Sequence, residues 1–504
     1  MKNKTKYIHI AIMIIGIIYV TLPAFHTNLW FDESYSVAIA KHSFVYIWKI
    51  GGHDVHPILY YWMLHILFLI FGNAILAYRI FSIIAIAILS IIGYTHIKKD
   101  FGERTGLIFS FLVCFLPVTT VYSSEIRMYT WTMLSITIMF IYAYRIFKGE
   151  NSNKNWIVFA IFSLASAYMH YYGLMVAGII NLGLFIFLVL DTAKQRKINK
   201  EIKILNINMK RFSISAVIQI ILYIPWLIFF IQQYSQVSKG FWIPKVSWEA
   251  YREIIEFQFT GNLLETVHIT HDIAFIFAIM IIIYLIYQVC ESIKNKQKTL
   301  PGILAISIYL SIIFIARIVS IKTPVLYARY IFTITGIFIF FMAFFMAKEK
   351  NKYLNIFVCA IIFIVSIYIN INLIKENYDT GNKEPVRLVQ NNIKEDDIFI
   401  YGNTGSGFVV SIFFPDNMQY FYDERHWNVE EPYKAYGPNM KLIYSLEELD
   451  NYEGRIWIIG AEDYAILEQF LEKEIEEVLI KEKFSTRYKG YQYTVTLIEK
   501  NITN

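Results

Sequence analysis

Charge is sparse in this sequence. Only 17% of its 504 residues are Asp, Glu, Lys or Arg, against about a quarter in soluble domains, while 56% are hydrophobic. That imbalance excludes an ordinary soluble fold. Cysteine is scarcer still: Cys114, Cys290 and Cys359 are the three, each within or at the end of an apolar segment. They cannot build a disulfide framework or a thiolate metal centre and read as core fillers. No Gly-Lys-Ser/Thr completes a phosphate loop, and there is no internal repeat and no low-complexity tract beyond an isoleucine bias. The net charge of +6 does not point to nucleic acid either, because the basic residues sit mostly between apolar segments, where they orient membrane helices.

What is present is a series of long apolar runs. Segments near 7–24, 77–97, 105–121, 128–147, 156–170, 174–190, 211–230, 267–289, 301–320, 329–347 and 353–371 can each approach or cross a hydrocarbon core of about 30 Å at 1.5 Å per residue. They predict a polytopic α-helical membrane protein of about eleven spans. Met1 to Lys6 followed by Tyr7 to Pro23 resembles a signal peptide without a small-residue cleavage site, and reads as a signal anchor. Pro57 to Phe71 is left over. If it does not cross, Lys98-Lys99 and Arg104, Arg145 to Lys154, Lys194 to Arg211, Lys294 to Lys298 and Lys348 to Lys352 all fall on the cytoplasmic side with the N-terminus. If it crosses, nearly every later loop violates the positive-inside rule. It is therefore expected to be a juxtamembrane or re-entrant helix in an external loop spanning 25–76.

Composition changes near residue 372. Residues 1–371 read as the membrane domain and 372–504 as an extracytoplasmic soluble α/β domain. Strands are expected at Asp397–Tyr401, Gln419–Tyr422, Arg455–Ile459 and Tyr491–Ile498, with a helix from Tyr464 to about Ile480. Gly402-Asn403-Thr404-Gly405-Ser406-Gly407 follows a strand, but without a phosphate-loop lysine it reads as a plain turn.

With that orientation, the polar residues that carry chemistry gather on the outer side. Asp32 and Glu33 follow the first helix between aromatic residues, where partial desolvation suits a carboxylate to accept a proton from a hydroxyl. In isolation the pair would only solvate a loop. His53, Asp54 and His56 precede Pro57 and Tyr60-Tyr61. They are weak candidates for a divalent cation, or hydrogen-bonding anchors for phosphate or sugar. The anchor reading is favoured because no further Cys or His cluster completes a four-ligand set. Glu125 and Arg127, between two spans, form a structural pair or a functional one. Arg329-Tyr330 can grip a phosphate through its guanidinium or snorkel to headgroups. His170-Tyr171-Tyr172-Gly173 and Arg79 could equally be packing. A soluble nucleotide-sugar would lie on the wrong side of the membrane, so an external transferase would need a lipid-carried donor.

In these residues the chain resembles glycosyltransferase family 39 of the GT-C superfamily, which includes protein O-mannosyltransferases and the lipid A aminoarabinose transferase. The likeness is carried by Asp32-Glu33, Asp54-Val55-His56-Pro57 leading into Tyr60-Tyr61, Gly72 with Arg79 and Ser82, Gly102 with Arg104, Tyr122-Ser123 with Glu125, Arg127 and Tyr129, His170-Tyr171-Tyr172-Gly173, and Arg329-Tyr330. It covers about residues 7–371. His56-Pro57-Ile58 departs from the commoner pattern, which has a second proline, and residues 372–504 have no assigned counterpart.

The resemblance implies a GT-C-like fold and transfer of a sugar, with inversion, from a polyprenyl phosphate to an extracytoplasmic protein, lipid or cell-wall glycan. Asp32 would be the general base and Glu33 would orient it or the sugar. Arg127 and Arg329 would neutralise the phosphate. Glu125 joins the catalytic candidates, and Asp54, His56, Tyr60, Arg79, Tyr129, His170 and Tyr330 the donor-binding ones. The implied setting is the cell membrane, with the active site and C-terminal domain outside, membrane lipids and the lipid-linked sugar as partners, and no required cofactor beyond an open question of a divalent cation. The alternative is a transporter of lipid-linked saccharides, which would instead place charges at the bilayer midplane within repeated halves.

Overall fold

The computed structural model describes residues 2–198, 206–239, 243–261, 271–402, 405–424, 429–461, 466–469 and 477–500. They fall into two compact units, one comprising Met1–Leu22 with Ile80–Asn372, the other Pro23–Arg79 with Leu373–Asn504. The loop after the first helix thus groups with the C-terminal residues.

The first unit is helical. Among the described residues nine helices are long and apolar enough to cross a membrane, beginning with a span at Lys4–Ala24 that lies largely within α1 (Lys2–Thr21). Two expected spans take other forms. The segment 105–121 is broken into Glu103–Phe115 and Pro117–Tyr122, with Leu116 extended between them, because proline disfavours helix at the residue before it. The segment 156–170 is the 17-residue helix Asn153–Met169. The loop 231–266, between the expected spans 211–230 and 267–289, is also partly helical. Helix Ile207–Lys239 runs into it, and Trp248–Thr260 forms a helix of its own. Gln232, Gln233 and Lys239 are good helix formers, and polarity alone does not end a helix. Residues 240–242 and 262–266 of that loop lie outside the described residues.

Close approaches of backbone organise this unit. A Cβ on Gly336 would collide with the Thr137 hydroxyl, and one on Gly106 with the Gly93 carbonyl. Small residues at such crossings let membrane helices pack through dispersion where the hydrophobic effect offers no preference. His9 pairs with the Ser110 hydroxyl at 2.8 Å, and Ser110 donates to the Ser90 carbonyl at 2.7 Å.

The second unit joins short helices to a mixed sheet. The helices are α2 (Phe31–Ala40), α3 (Phe44–Gly51) and α4 (Leu59–Phe71). The 13 residues of α4 extend about 20 Å, too short to span a bilayer, as its juxtamembrane reading requires. Its central histidine, His65, pairs with the Ala40 carbonyl at 2.9 Å. The strands are β1 (Ile398–Tyr401), β2 (Gln419–Tyr422), β3 (Met440–Ile443), β4 (Gly454–Gly460), β5 (Glu477–Ser485) and β6 (Gln492–Lys500), in the order β3-β2-β1-β4-β6-β5. The first four are parallel, and β6 runs antiparallel to β4 and β5. Alternation sorts the faces: Ile398, Ile400, Ile456 and Ile458 share an aliphatic core, while Phe399 stacks on Tyr401, Phe414 and Trp457.

All four expected strands are present, but β3 and β5 were not foreseen. Residues 477–480, read as the end of a helix, belong to β5. This edge strand is rich in Glu and Lys, the composition that guards edges and also mimics an exposed helix. Its order comes from pairing with β6, which local pattern does not reveal. Of the expected helix, residues 466–469 are helical; 464–465 and 470–476 lie outside the described residues. Residues 403–404 of the glycine-rich turn do so too.

Candidate active site

In the second unit the acidic pair opens α2. Trp30 is extended at the N-cap and makes no side-chain capping bond, so the first helical N–H groups need other partners. The Phe31 N–H finds the Tyr491 hydroxyl at 3.0 Å. Asp32 and Glu33 occupy the first turn, where carboxylates complement the helix dipole.

The two acids then diverge. Glu33 is 1% exposed and accepts from Arg79 through both oxygens, Nη1 to Oε1 at 2.7 Å and Nη2 to Oε2 at 3.0 Å. The Tyr488 hydroxyl adds a third bond to Oε2 at 3.1 Å. Arg79 also donates to the Asn28 carbonyl at 2.5 Å. Asn28 in turn donates to the carbonyls of Asn377 and Asp379 at 3.0 and 2.7 Å. Burial and the Glu33 carboxylate push the Tyr488 phenol well up, which keeps it a donor. Asp32 stays half-exposed, and its carboxylate acts on the Tyr436 phenol. That phenol pairs with the Ser34 hydroxyl at 3.1 Å.

Asp54 and His56 come together at the entrance to α4, Oδ2 to Nδ1 at 3.6 Å, and Tyr61 donates to the same Asp54 oxygen at 3.3 Å. Tyr61 also packs edge-on against Tyr35 of α2 with centroids 5.7 Å apart. Tyr60 is fully buried against Tyr61. His53 does not join the other two as a ligand set: among the described residues no three His, Cys, Asp or Glu side chains converge as a metal would require.

The first unit holds the other expected residues. His170 lies at the reversal between Asn153–Met169 and Tyr171–Ile198, and its Nδ1 accepts the Tyr172 N–H at 3.1 Å. Its ring sits among Tyr129, Tyr172 and Tyr330, with centroids 5.9, 5.6 and 5.0 Å away. Arg329 lies over the Tyr327 ring at 5.6 Å. Both Arg329 and the Glu125 carboxylate lie within electrostatic reach of the Tyr122 phenol. Ser82 fixes the same turn by donating to the Glu125 carbonyl at 2.7 Å. Arg127 is buried beside it. Tyr436, Tyr488 and Tyr491 escaped notice in the sequence, since they are three among 37 tyrosines with no local motif.

Residues 55–229 match the family model described as dolichyl-phosphate-mannose-protein mannosyltransferase. The whole chain is similar in structure to ArnT from Cupriavidus metallidurans. Against that protein bound to undecaprenyl phosphate the TM-score is 0.59 at 10% identity, covering 97% of each chain. Against its apo state the score is 0.60 at 8% identity, covering 98% of each. The chain has the GT-C glycosyltransferase fold. A comparison with curated protein sequences finds no match. The family model over residues 55–229 supports a glycosyltransferase, and nine apolar helices among the described residues suit a membrane.

Proposed function

We propose that this enzyme transfers a sugar from a polyprenyl-phosphate donor to a hydroxyl of an extracytoplasmic acceptor, with inversion, using Asp32 as general base. The carrying observation is the division of labour within the acidic pair. Glu33 is bound on both oxygens by Arg79 and Tyr488, while its neighbour remains half-exposed in the first turn of the same helix. Glu33, so held, orients; Asp32, partly open to solvent, is reachable by an acceptor hydroxyl.

In this mechanism the Asp32 carboxylate removes the acceptor proton as the hydroxyl oxygen attacks the anomeric carbon. The bond from that carbon to the phosphate oxygen breaks, and the polyprenyl phosphate departs with the electron pair. Arg329 and Arg127 stabilise the charge that develops on the phosphate, a contribution expected to be large where water is excluded. Glu125 holds the arginine-bearing turn, and His170 and Tyr330 line the donor sugar or phosphate. Asp54 and His56 supply polar anchors, and Arg79 acts by holding Glu33. The carrier belongs to the chemical class seen bound to the similar ArnT, and the 56% hydrophobic composition suits a lipid-borne donor.

The test supplies membranes containing the chain with labelled polyprenyl-phosphate sugars and compares wild type with Asp32→Asn. Transfer should fall by several orders of magnitude. Undiminished transfer by the variant would remove Asp32 from the role.

A further inference from the structure

The segment Thr486–Tyr491, between β5 and β6, is tied at several points within its unit. Asp379 accepts from the Thr486 hydroxyl at 2.7 Å and from the Arg487 N–H at 2.6 Å. Glu376 accepts from the Lys489 N–H at 3.0 Å, and Thr486 Oγ1 accepts from the Tyr488 N–H at 3.0 Å. Lys489 adopts a left-handed backbone, φ 54° and ψ 17°, which a side chain other than glycine rarely takes and which clusters where structure is held for function. Its ammonium lies over the Trp30 ring at 5.6 Å. From this anchored turn two phenols reach α2. Tyr488 donates to Glu33, and Tyr491 accepts from the Phe31 N–H. These contacts flank Asp32 in sequence on both sides.

We propose that Tyr488 and Tyr491 are positioning residues, which set the place of the Asp32 carboxylate by fixing the first turn of α2. The inference rests on the reading of Asp32 as base. A helix start without a side-chain cap is free to fray, and displacement of a reacting group by about 1 Å can cost two orders of magnitude in rate. The turn is remote in sequence, more than 450 residues from α2, so the chain's C-terminal part is coupled to the chemistry through these two hydroxyls.

The experiment measures transfer by full-length chain in membranes for Tyr488→Phe, Tyr491→Phe and, as control, Tyr452→Phe, which removes a hydroxyl that donates to the Asp396 and Arg455 carbonyls. The two positioning variants should lower kcat roughly ten- to hundredfold with the donor KM unchanged, while Tyr452→Phe keeps wild-type kinetics. Equal losses in all three, or wild-type kcat in Tyr488→Phe and Tyr491→Phe, would overturn the inference. If Tyr488→Phe fails to fold, the half-buried Tyr491 decides: its variant loses kcat or the proposal falls. Asp32→Asn run alongside separates the cases, since a fully active Asp32→Asn defeats the assignment of the base itself.

Discussion

Arg79 meets Glu33 in a bidentate pair, with both side chains at most 2% exposed. Two ions withdrawn this far from water are held by geometry, and deletion of one leaves the other buried without its counter-charge. Glu33→Gln should therefore cost roughly 3 to 5 kcal/mol of stability, read as a lower thermal unfolding midpoint in detergent. Arg79→Lys should fail to rescue, because an ammonium cannot span both carboxylate oxygens. An unchanged midpoint in Glu33→Gln would show that the pair contributes nothing to the fold.

How much of this was legible beforehand differs by feature. The apolar runs, the short α4 and the acidic pair after the first helix follow from composition and loop charge, because membrane solvation acts on each segment locally. The split between Asp32 and Glu33 does not, since it depends on Arg79, 46 positions onward, and on Tyr488, 455 positions onward. Asp54 next to His56 was visible as a motif, whereas the Tyr61 hydroxyl on Asp54 required the fold of α4. Strand β5 was hidden for the same reason as Tyr488: its order comes from a partner distant in sequence.

Gly173 closes the reversal that presents His170. A Cβ there would run into the Ser166 carbonyl oxygen, backbone that cannot turn aside. Gly173→Ala should force the helices on either side apart and destabilise the unit by roughly 1 to 3 kcal/mol. Gly178, where added bulk meets nothing within 4 Å, should accept alanine without loss. Unfolding midpoints of the two variants check this; equal effects would mean the close approach at Gly173 is not strained by a methyl group.

His26 gives the chain a pH dependence. Burial, with Arg79, Lys489 and Lys383 adding repulsion, pushes its imidazole down to about 2, and its ring lies against Tyr378 and Tyr488. Unfolded, the ring protonates near 6.5. Between those values the unfolded state holds the extra proton, so stability is full above pH 6.5 and declines as pH falls below it. Midpoints for wild type and His26→Gln at pH 7.5 and 5 test this. The wild type should lose more on acidification; a parallel fall in both would assign the acid sensitivity to other groups.

Arg329 is half-exposed beside Tyr327, open enough for the proposed contact with a donor phosphate. Arg329→Ala should raise the donor KM and lower kcat together, because charge is present on the bound phosphate and grows as the bond breaks. Arg329→Lys should recover part of the loss, through charge without a planar fork. Steady-state kinetics with the lipid donor check it, and wild-type values in Arg329→Ala would take this residue out of donor binding.

Orientation determines which compartment the acids face. Lys98, Lys99, Arg104, Arg145, Lys148, Lys294, Lys298, Lys348 and Lys352 lie in connectors that loop charge assigns to one side, and the proposed chemistry needs Asp32 on the other. In a chain freed of Cys114, Cys290 and Cys359, a single cysteine placed at Glu395 in the C-terminal unit should react with a membrane-impermeant maleimide on intact cells. One placed at Lys298 should react only after permeabilisation. Both positions are exposed, so silence at either reflects the barrier and not burial. Labelling in the opposite pattern would place the acidic pair in the cytoplasm, within reach of soluble nucleotide-sugars, and the reason for requiring a lipid-linked donor would disappear with it.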